Sequence, residues 1–166
     1  GILARGCPDL SSAQQAVREV VAAGVDGIKF YVGLPADWIP AMTLEAHLAG
    51  RKVAMHSSGV GVLGPARFGV DEFFHLDGLV ADLWPNHPPG WLDLWGLPEF
   101  AQTADRQQAV ADELQGLGVV MTPTLAYWDS QWRIRRPGYP QGDEARHVPA
   151  AMVASQRSPT NPDASA

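Results

Sequence analysis

The feature that most constrains the fold is a repeated alternation of helical and strand-like segments. Apolar residues at helical spacing predict three main helices, over 11–23, 41–49 and 101–117, and a short one around 65–68. Short apolar runs between them predict strands at 25–32, 52–56, 70–75 and 119–122. Strands separated by helices form parallel sheets covered by helices, so we expect an α/β fold with about four parallel strands.

Segment boundaries follow from capping and turn residues. Ser11 or Ser12 can cap the first helix, and Gly24 can end it. Residues 79–100 hold three tryptophans and four prolines and predict a long inserted loop. No linker divides the chain, so we expect one domain over 1–154, followed by a disordered tail at 155–166 that is rich in Ser, Pro, Asn and Ala.

Composition excludes several classes of protein. No apolar run approaches the roughly 20 residues of a membrane helix, so we expect a soluble protein with no membrane partner. The net charge is −6 and the only lysines are Lys29 and Lys52, which argues against nucleic-acid binding. Cys7 is the only cysteine, so a disulfide framework or a Cys-rich zinc module is excluded. No targeting segment is recognisable in the sequence.

One conspicuous polar residue lies at or near the end of each of the first three predicted strands. These residues are Lys29, His56 and His75. Carboxyl ends of parallel strands meet at one edge of the sheet, where α/β proteins build their sites. A strand-end histidine is more often a hydrogen-bonded structural group, and a strand lysine usually reaches solvent. Spacing alone leaves the functional and structural interpretations both open.

Four segments, in order, resemble elements of the metal-dependent amidohydrolases. They are AVREVVAAGVDGIK at 16–29, AHLAGRKVAMH at 46–56, GVDEFFH at 69–75 and GVVMTPTL at 118–125. The second is similar to the family's AHxxGxxVxxH element and the third to its GVDxxxH element. Over roughly 13–127, the chain resembles the imidazolonepropionase-like and Xaa-Pro dipeptidase-like subgroup.

This resemblance implies a (β/α)8 barrel that carries one or two divalent metals, usually zinc. Lys29 would be carboxylated and bridge the metals, and His56 and His75 would bind the second one as neutral imidazoles. Burial favours the neutral amine that takes up carbon dioxide. Water activated by the metal would attack an amide, a cyclic amide or a related C–N bond of a small-molecule substrate. Trp84, Tyr127 and Trp128 are candidates for the walls of the substrate pocket.

The chain also departs from the family pattern. The first metal of the family needs an HxH pair, and none occurs in the 166 residues. No strand-like Asp follows Thr124, and Phe74 stands where the family commonly has a Glu before its histidine. The matched segments correspond to the fourth to seventh barrel strands. We therefore expect a partial barrel within a longer enzyme, inactive on its own.

Two alternatives stay open. A truncated barrel without half of its ligands can serve as a structural or interaction module. Separately, Gly59–Gly64 is a literal GxGxxG followed by Asp82, as in dinucleotide-binding domains. Pro65 leaves only a short helix after it, which favours a flexible glycine loop beside the metal site instead. His47, within a predicted helix, is expected to have a surface or packing role.

Overall fold

The computed structural model of the chain describes residues 4–84 and 104–126, together with Asp129 and His147. The chain divides into two compact units, Gly1–Pro123 and Thr124–Ala166, and the elements below belong to the first. The predicted tail at 155–166 and most of the predicted inserted loop lie outside the described residues. The single domain expected over 1–154 stays a prediction.

Helices and strands alternate along the described part of the chain. The helices are α1 (Leu10–Ala22), a 3₁₀ turn (Ala36–Trp38), α2 (Ile39–Leu48), α3 (Leu63–Arg67), α4 (Asp77–Leu83) and α5 (Ala104–Gly116). The strands are β1 (Gly27–Phe30), β2 (Lys52–Met55), β3 (Glu72–Phe74) and β4 (Val120–Thr122). Among the described residues, no helix has the length and apolar character needed to cross a membrane.

The four strands form one parallel sheet in the order β1-β2-β3-β4. This confirms the predicted α/β fold with a parallel sheet. In the register, Phe30 pairs with Met55, Met55 with Phe73 and Phe73 with Met121. Crossovers between parallel strands are right-handed, so a sequential strand order places the connecting helices on one face of the sheet.

The core lies between that face and the helices. The strand residues in the core are alternate residues whose side chains lie on the same face of the sheet: Ile28, Phe30, Val53, Met55 and Phe73. They pack against buried residues of α1, α2, α3, α4 and α5, which include Ala13, Val17, Met42, Ala46, Leu63, Leu83, Val110 and Leu114. Burial of these side chains supplies the main driving force for this layer.

The opposite face of the sheet, called the open face below, carries partly exposed residues in the described part of the chain. The alternate strand residues point to it, and Lys29 and Val120 are exposed there, while Ala54, Glu72 and Phe74 are half-buried. The Thr122 hydroxyl donates to the Glu72 carboxylate at 2.6 Å on this face.

The two ends of the sheet are built differently, and Asp71 marks the amino-terminal end. Its carboxylate accepts hydrogen bonds from Lys52 Nζ at 2.5 Å and from the Val53 N–H at 2.8 Å, and it lies 2.9 Å from His47 Nε2. These contacts join α2, β2 and the start of β3. His47 is exposed and pairs with Asp71, which agrees with the surface role among those expected of it.

Two local predictions were wrong. The cap of α1 is Asp9, not Ser11 or Ser12: the Ser12 N–H donates to Asp9 Oδ1 at 2.7 Å and the Asp9 N–H donates to Ser12 Oγ. Asp9 takes this place because its backbone is extended (φ −152°), which starts the helix at Leu10.

The predicted start of the inserted loop at residue 79 is too early, because α4 continues to Leu83. Val80 and Leu83 are buried in this helix, so packing against the core extends it up to the Pro-rich sequence that suggested a loop. The part of the predicted loop over 85–100 lies outside the described residues.

Candidate active site at the carboxyl edge of the sheet

The structure places Lys29, His56 and His75 at the carboxyl ends of three adjacent strands. Lys29 is the third residue of β1, and the two histidines directly follow β2 and β3. Sheet hydrogen bonds hold both histidine backbones, since the His56 N–H donates to the Phe30 carbonyl at 3.0 Å and the His75 N–H to the Thr122 carbonyl at 2.9 Å. The predicted alignment of these strand ends is present.

The two histidine side chains are in contact. Their ring centroids lie 4.4 Å apart with an interplanar angle of 62°. Tyr31 also packs edge-on against His56, at 5.5 Å between centroids and 77°. Two imidazoles at this separation, on strand ends fixed by the sheet, can offer nitrogen ligands to one small cation.

Lys29 lies over the ring of Phe74, with its Nζ 4.3 Å from the ring centroid. This is a cation–π contact, and Lys29 is exposed, so the burial expected of its amine is not present. The ammonium group is also close enough to His75 to act on its titration.

His75 has two marks of a constrained residue. Its backbone lies in the left-handed region at φ 71°, which costs energy for a residue with a side chain and is often found at functional sites. Burial lowers the pKa of His75, and the nearby charges of His56 and Lys29 lower it further, against an opposing effect of Asp77. A lowered pKa keeps the imidazole neutral, as metal binding requires.

Asp77 is a site residue that the sequence reasoning missed. It begins α4, only two residues after His75, and its Oδ2 lies 3.0 Å from His56 Nε2. Asp77 is 7% exposed. Among the described residues, neither His56 Nδ1 nor Asp77 Oδ1 has a hydrogen-bond partner, although both atoms are buried. Orphaned buried polar atoms are costly, so their occurrence here calls for an explanation.

Of the residues proposed for the pocket walls, the structure describes only Trp84. Trp84 follows the last residue of α4, about 10 Å along the helix axis from Asp77 at about 1.5 Å per residue. Tyr127 and Trp128 lie outside the described residues. Tyr31 was missed as a neighbour of His56, although its position directly after β1 was a usable signal.

The described residues do not form a complete metal site. Within 4–84 and 104–126, no three His, Cys, Asp or Glu side chains form a group that could hold an ion. His56 and His75 can supply two nitrogen ligands, and Lys29 can supply oxygen ligands only after carboxylation. The orphaned Nδ1 of His56 fits this assignment, because a neutral imidazole nitrogen without a partner is a ready ligand.

The glycine loop at 59–64 is occupied by a carboxylate of the chain itself. Asp82 Oδ2 accepts hydrogen bonds from the Val62 N–H at 2.5 Å and the Leu63 N–H at 3.2 Å. A Cβ on Gly61, which has φ 76°, would lie 2.9 Å from the same oxygen. The Asp82 carboxylate thus takes up the backbone N–H groups that the phosphate of a dinucleotide would need. Dinucleotides bind at the point where the strand order of such a sheet reverses, and the described sheet has no reversal.

Comparisons with known proteins add nothing to the description of the site, which is characterised by its geometry alone. A scan against models of protein families finds no match for this chain, and no curated protein matches it. Two contacting histidines, a lysine and a buried carboxylate converge at one edge of the sheet.

Proposed function

We propose that this chain carries part of the metal centre of a hydrolase that cleaves amide, cyclic amide or related C–N bonds. The observation that carries the proposal is the contact between His56 and His75 at 4.4 Å, on strand ends adjacent to Lys29. The resemblance of four sequence segments to metal-dependent amidohydrolases supports the same assignment. A small molecule is the expected substrate.

The proposed roles follow from the properties of each side chain. His56 and His75 would hold a divalent cation, with zinc favoured because imidazole suits it. Lys29 would add a carbamate oxygen after carboxylation, which requires its amine to leave the ring of Phe74 and lose a proton. The bound ion would supply Lewis acidity to the substrate carbonyl and to water.

The open face of the sheet supports a partial (β/α)8 barrel as the architecture. In such a barrel, helices cover only the outer face, and alternate strand residues fill the interior. The sequential strand order, with helices on one face and Lys29, Glu72 and Phe74 on the other, has this arrangement. Further strands would close the barrel and bring the remaining ligands.

The proposal also explains why the chain alone is expected to be inactive. Its sequence contains no HxH pair, so the ligands of a first metal have to come from additional strands. The described residues supply the second metal position only. Binding of an ion, rather than turnover, is therefore the property to measure on this chain.

Calorimetric titration of the full chain with zinc chloride tests the proposal. We expect one ion per chain, and an affinity at least tenfold lower in His56→Ala and in His75→Ala. His47→Ala is the matched control, because His47 contacts Asp71 at the opposite end of the sheet. Equal zinc affinity in all four proteins would overturn the proposal.

A structural or interaction module is the second candidate function. The exposed residues Lys29 and Val120 on an otherwise ordered parallel sheet favour it, because such a face is normally covered. Absence of zinc binding in the titration, with the fold intact, would make this candidate the leading one.

A further inference from the structure

We propose that Asp77 is a positioning residue that holds His56 in the tautomer with a proton on Nε2 and so presents Nδ1 to the cation. This inference rests on the proposed metal site and adds to it a residue outside the metal-binding trio. Its basis is the 3.0 Å separation between Asp77 Oδ2 and His56 Nε2. The geometry leaves Nδ1 as the available nitrogen.

The chemistry of the pair fixes the direction of the hydrogen bond. An ionised carboxylate only accepts, so the ring nitrogen that faces it has to carry the proton. The neutral imidazole then has its lone pair on the other nitrogen, Nδ1. That atom is buried and has no hydrogen-bond partner among the described residues, so no contact within them competes with a cation for it.

The surroundings of Asp77 make it a rigid support. Its side chain is 4% exposed, against 18% for that of His56, so the pair is largely shielded from water. Gly78, the next residue, packs so tightly against Ser57 that a Cβ on it would overlap Ser57 Oγ. Since Ser57 follows His56, the start of α4 is fixed against the end of β2 by two adjacent contacts.

A carboxylate in this place has a recognised effect on metal ligands. A hydrogen bond to the second ring nitrogen orients a ligating histidine and raises its basicity, and removal of the partner typically lowers metal affinity 10- to 100-fold. Asp77, the first residue of α4, supplies this contact to His56. The second carboxylate oxygen, Oδ1, remains an unused acceptor within the described residues.

Metal binding gives the first test. Cobalt(II) or zinc titrations are carried out on the full chain, on Asp77→Ala, on Asp77→Asn and on the control Asp37→Ala, whose residue is exposed in the 3₁₀ turn. We expect a 10- to 100-fold loss for Asp77→Ala and a smaller loss for Asp77→Asn, which keeps an acceptor oxygen. Asp37→Ala should bind as the parent does. Parent-like binding by Asp77→Ala would overturn the inference.

The tautomer gives a second test that needs no metal. Nitrogen-15 NMR of the histidine rings in the metal-free chain, assigned with His56→Ala, should show His56 protonated on Nε2. In Asp77→Ala this preference should be lost. A proton on Nδ1 in the parent chain would contradict the inference directly.

The two tests separate the inference from the proposed function. If the parent chain binds no ion, the metal-site proposal fails, and the NMR spectrum alone decides whether Asp77 sets the tautomer of the His56 ring. If the parent binds an ion and Asp77→Ala binds it equally well, the metal site stands and the role of Asp77 is refuted.

Discussion

Gly78 packs directly against Ser57, and a side chain on Gly78 would overlap the Ser57 hydroxyl. The same Cβ would lie 3.2 Å from the Val62 side chain. Ser57 is itself 1% exposed, so it has no room to move away. This contact sets the distance between the start of α4 and the end of β2, and with it the position of Asp77 beside His56.

Gly78→Ala should destabilise the protein, although Gly78 lies in a helix. Alanine normally stabilises a helical position by up to about 1 kcal/mol relative to glycine. Here overpacking against Ser57 should outweigh that gain and lower the free energy of unfolding by about 1–3 kcal/mol. Urea denaturation followed by circular dichroism measures the change.

Gly64→Ala is the matched control for this experiment. Gly64 is also the second residue of a short helix, and a Cβ on it would meet no atom within 4 Å. We expect it to be neutral or stabilising by up to about 1 kcal/mol. Equal effects of the two substitutions would show that helix propensity, not the contact with Ser57, governs position 78.

Asp71 should make the fold sensitive to acid. Burial alone raises the pKa of the Asp71 carboxyl, but its hydrogen bonds with Lys52, the Val53 N–H and His47 outweigh burial and lower the pKa. The folded pKa therefore lies below the unfolded value of about 3.9, so this stabilisation is present above that pH and is lost as the pH falls through the folded pKa.

Asp71→Asn checks this dependence. At neutral pH the substitution should lower the free energy of unfolding by about 2 kcal/mol, because hydrogen bonds to a charged group are lost. The difference from the parent should shrink below about pH 4. Denaturation curves from pH 3 to pH 7 measure it, with exposed Asp37→Asn as control. A difference that stays constant with pH would contradict the explanation.

Asp82→Ala should destabilise the loop at 59–64 without revealing a dinucleotide site. The Val62 and Leu63 N–H groups lose their acceptor, which typically costs about 1 kcal/mol at a helix start. NAD⁺ should leave the melting temperature of the parent and of Asp82→Ala unchanged. Stabilisation of the parent by NAD⁺ that Gly61→Ala removes would instead support the dinucleotide hypothesis.

Lys29 should take up carbon dioxide when zinc is bound. In the metal-free chain the Lys29 amine lies over the Phe74 ring, so we expect the carbamate only when a metal ion binds its oxygens. Carbon-13 NMR with labelled bicarbonate and zinc should show a side-chain carbamate in the parent and in Lys52→Ala. Lys29→Arg should lack it, since the only other lysine is Lys52. A zinc-bound parent without this signal would exclude Lys29 as an oxygen ligand of the ion.

The sequence was informative where chemistry follows local patterns. Apolar runs ending in a polar residue predicted both the strands and the alignment of Lys29, His56 and His75, because neighbouring parallel strands share one carboxyl edge. The position of α4 was harder to predict, since its helical packing residues are followed at once by Pro- and Trp-rich sequence that indicates a loop.

The role of Asp77 could not be read from the sequence in the same way. Its partner His56 is 21 residues away, and the pairing depends on how α4 lies against β2. Asp82 illustrates the same limit, since its spacing from the glycines fits a ribose-binding acid, yet its carboxylate binds the loop itself. In both cases the partner is chosen by tertiary packing, which spacing does not encode.

Anomalous X-ray scattering at the zinc absorption edge, from crystals of the full chain soaked in zinc, tests the central claim most directly. We predict one strong anomalous peak within bonding distance of His56 Nδ1 and of the His75 ring, about 2.0–2.1 Å from each ligating nitrogen. A zinc ion bound instead at His47 and Asp71, or no ion at the carboxyl edge of the sheet, would contradict it.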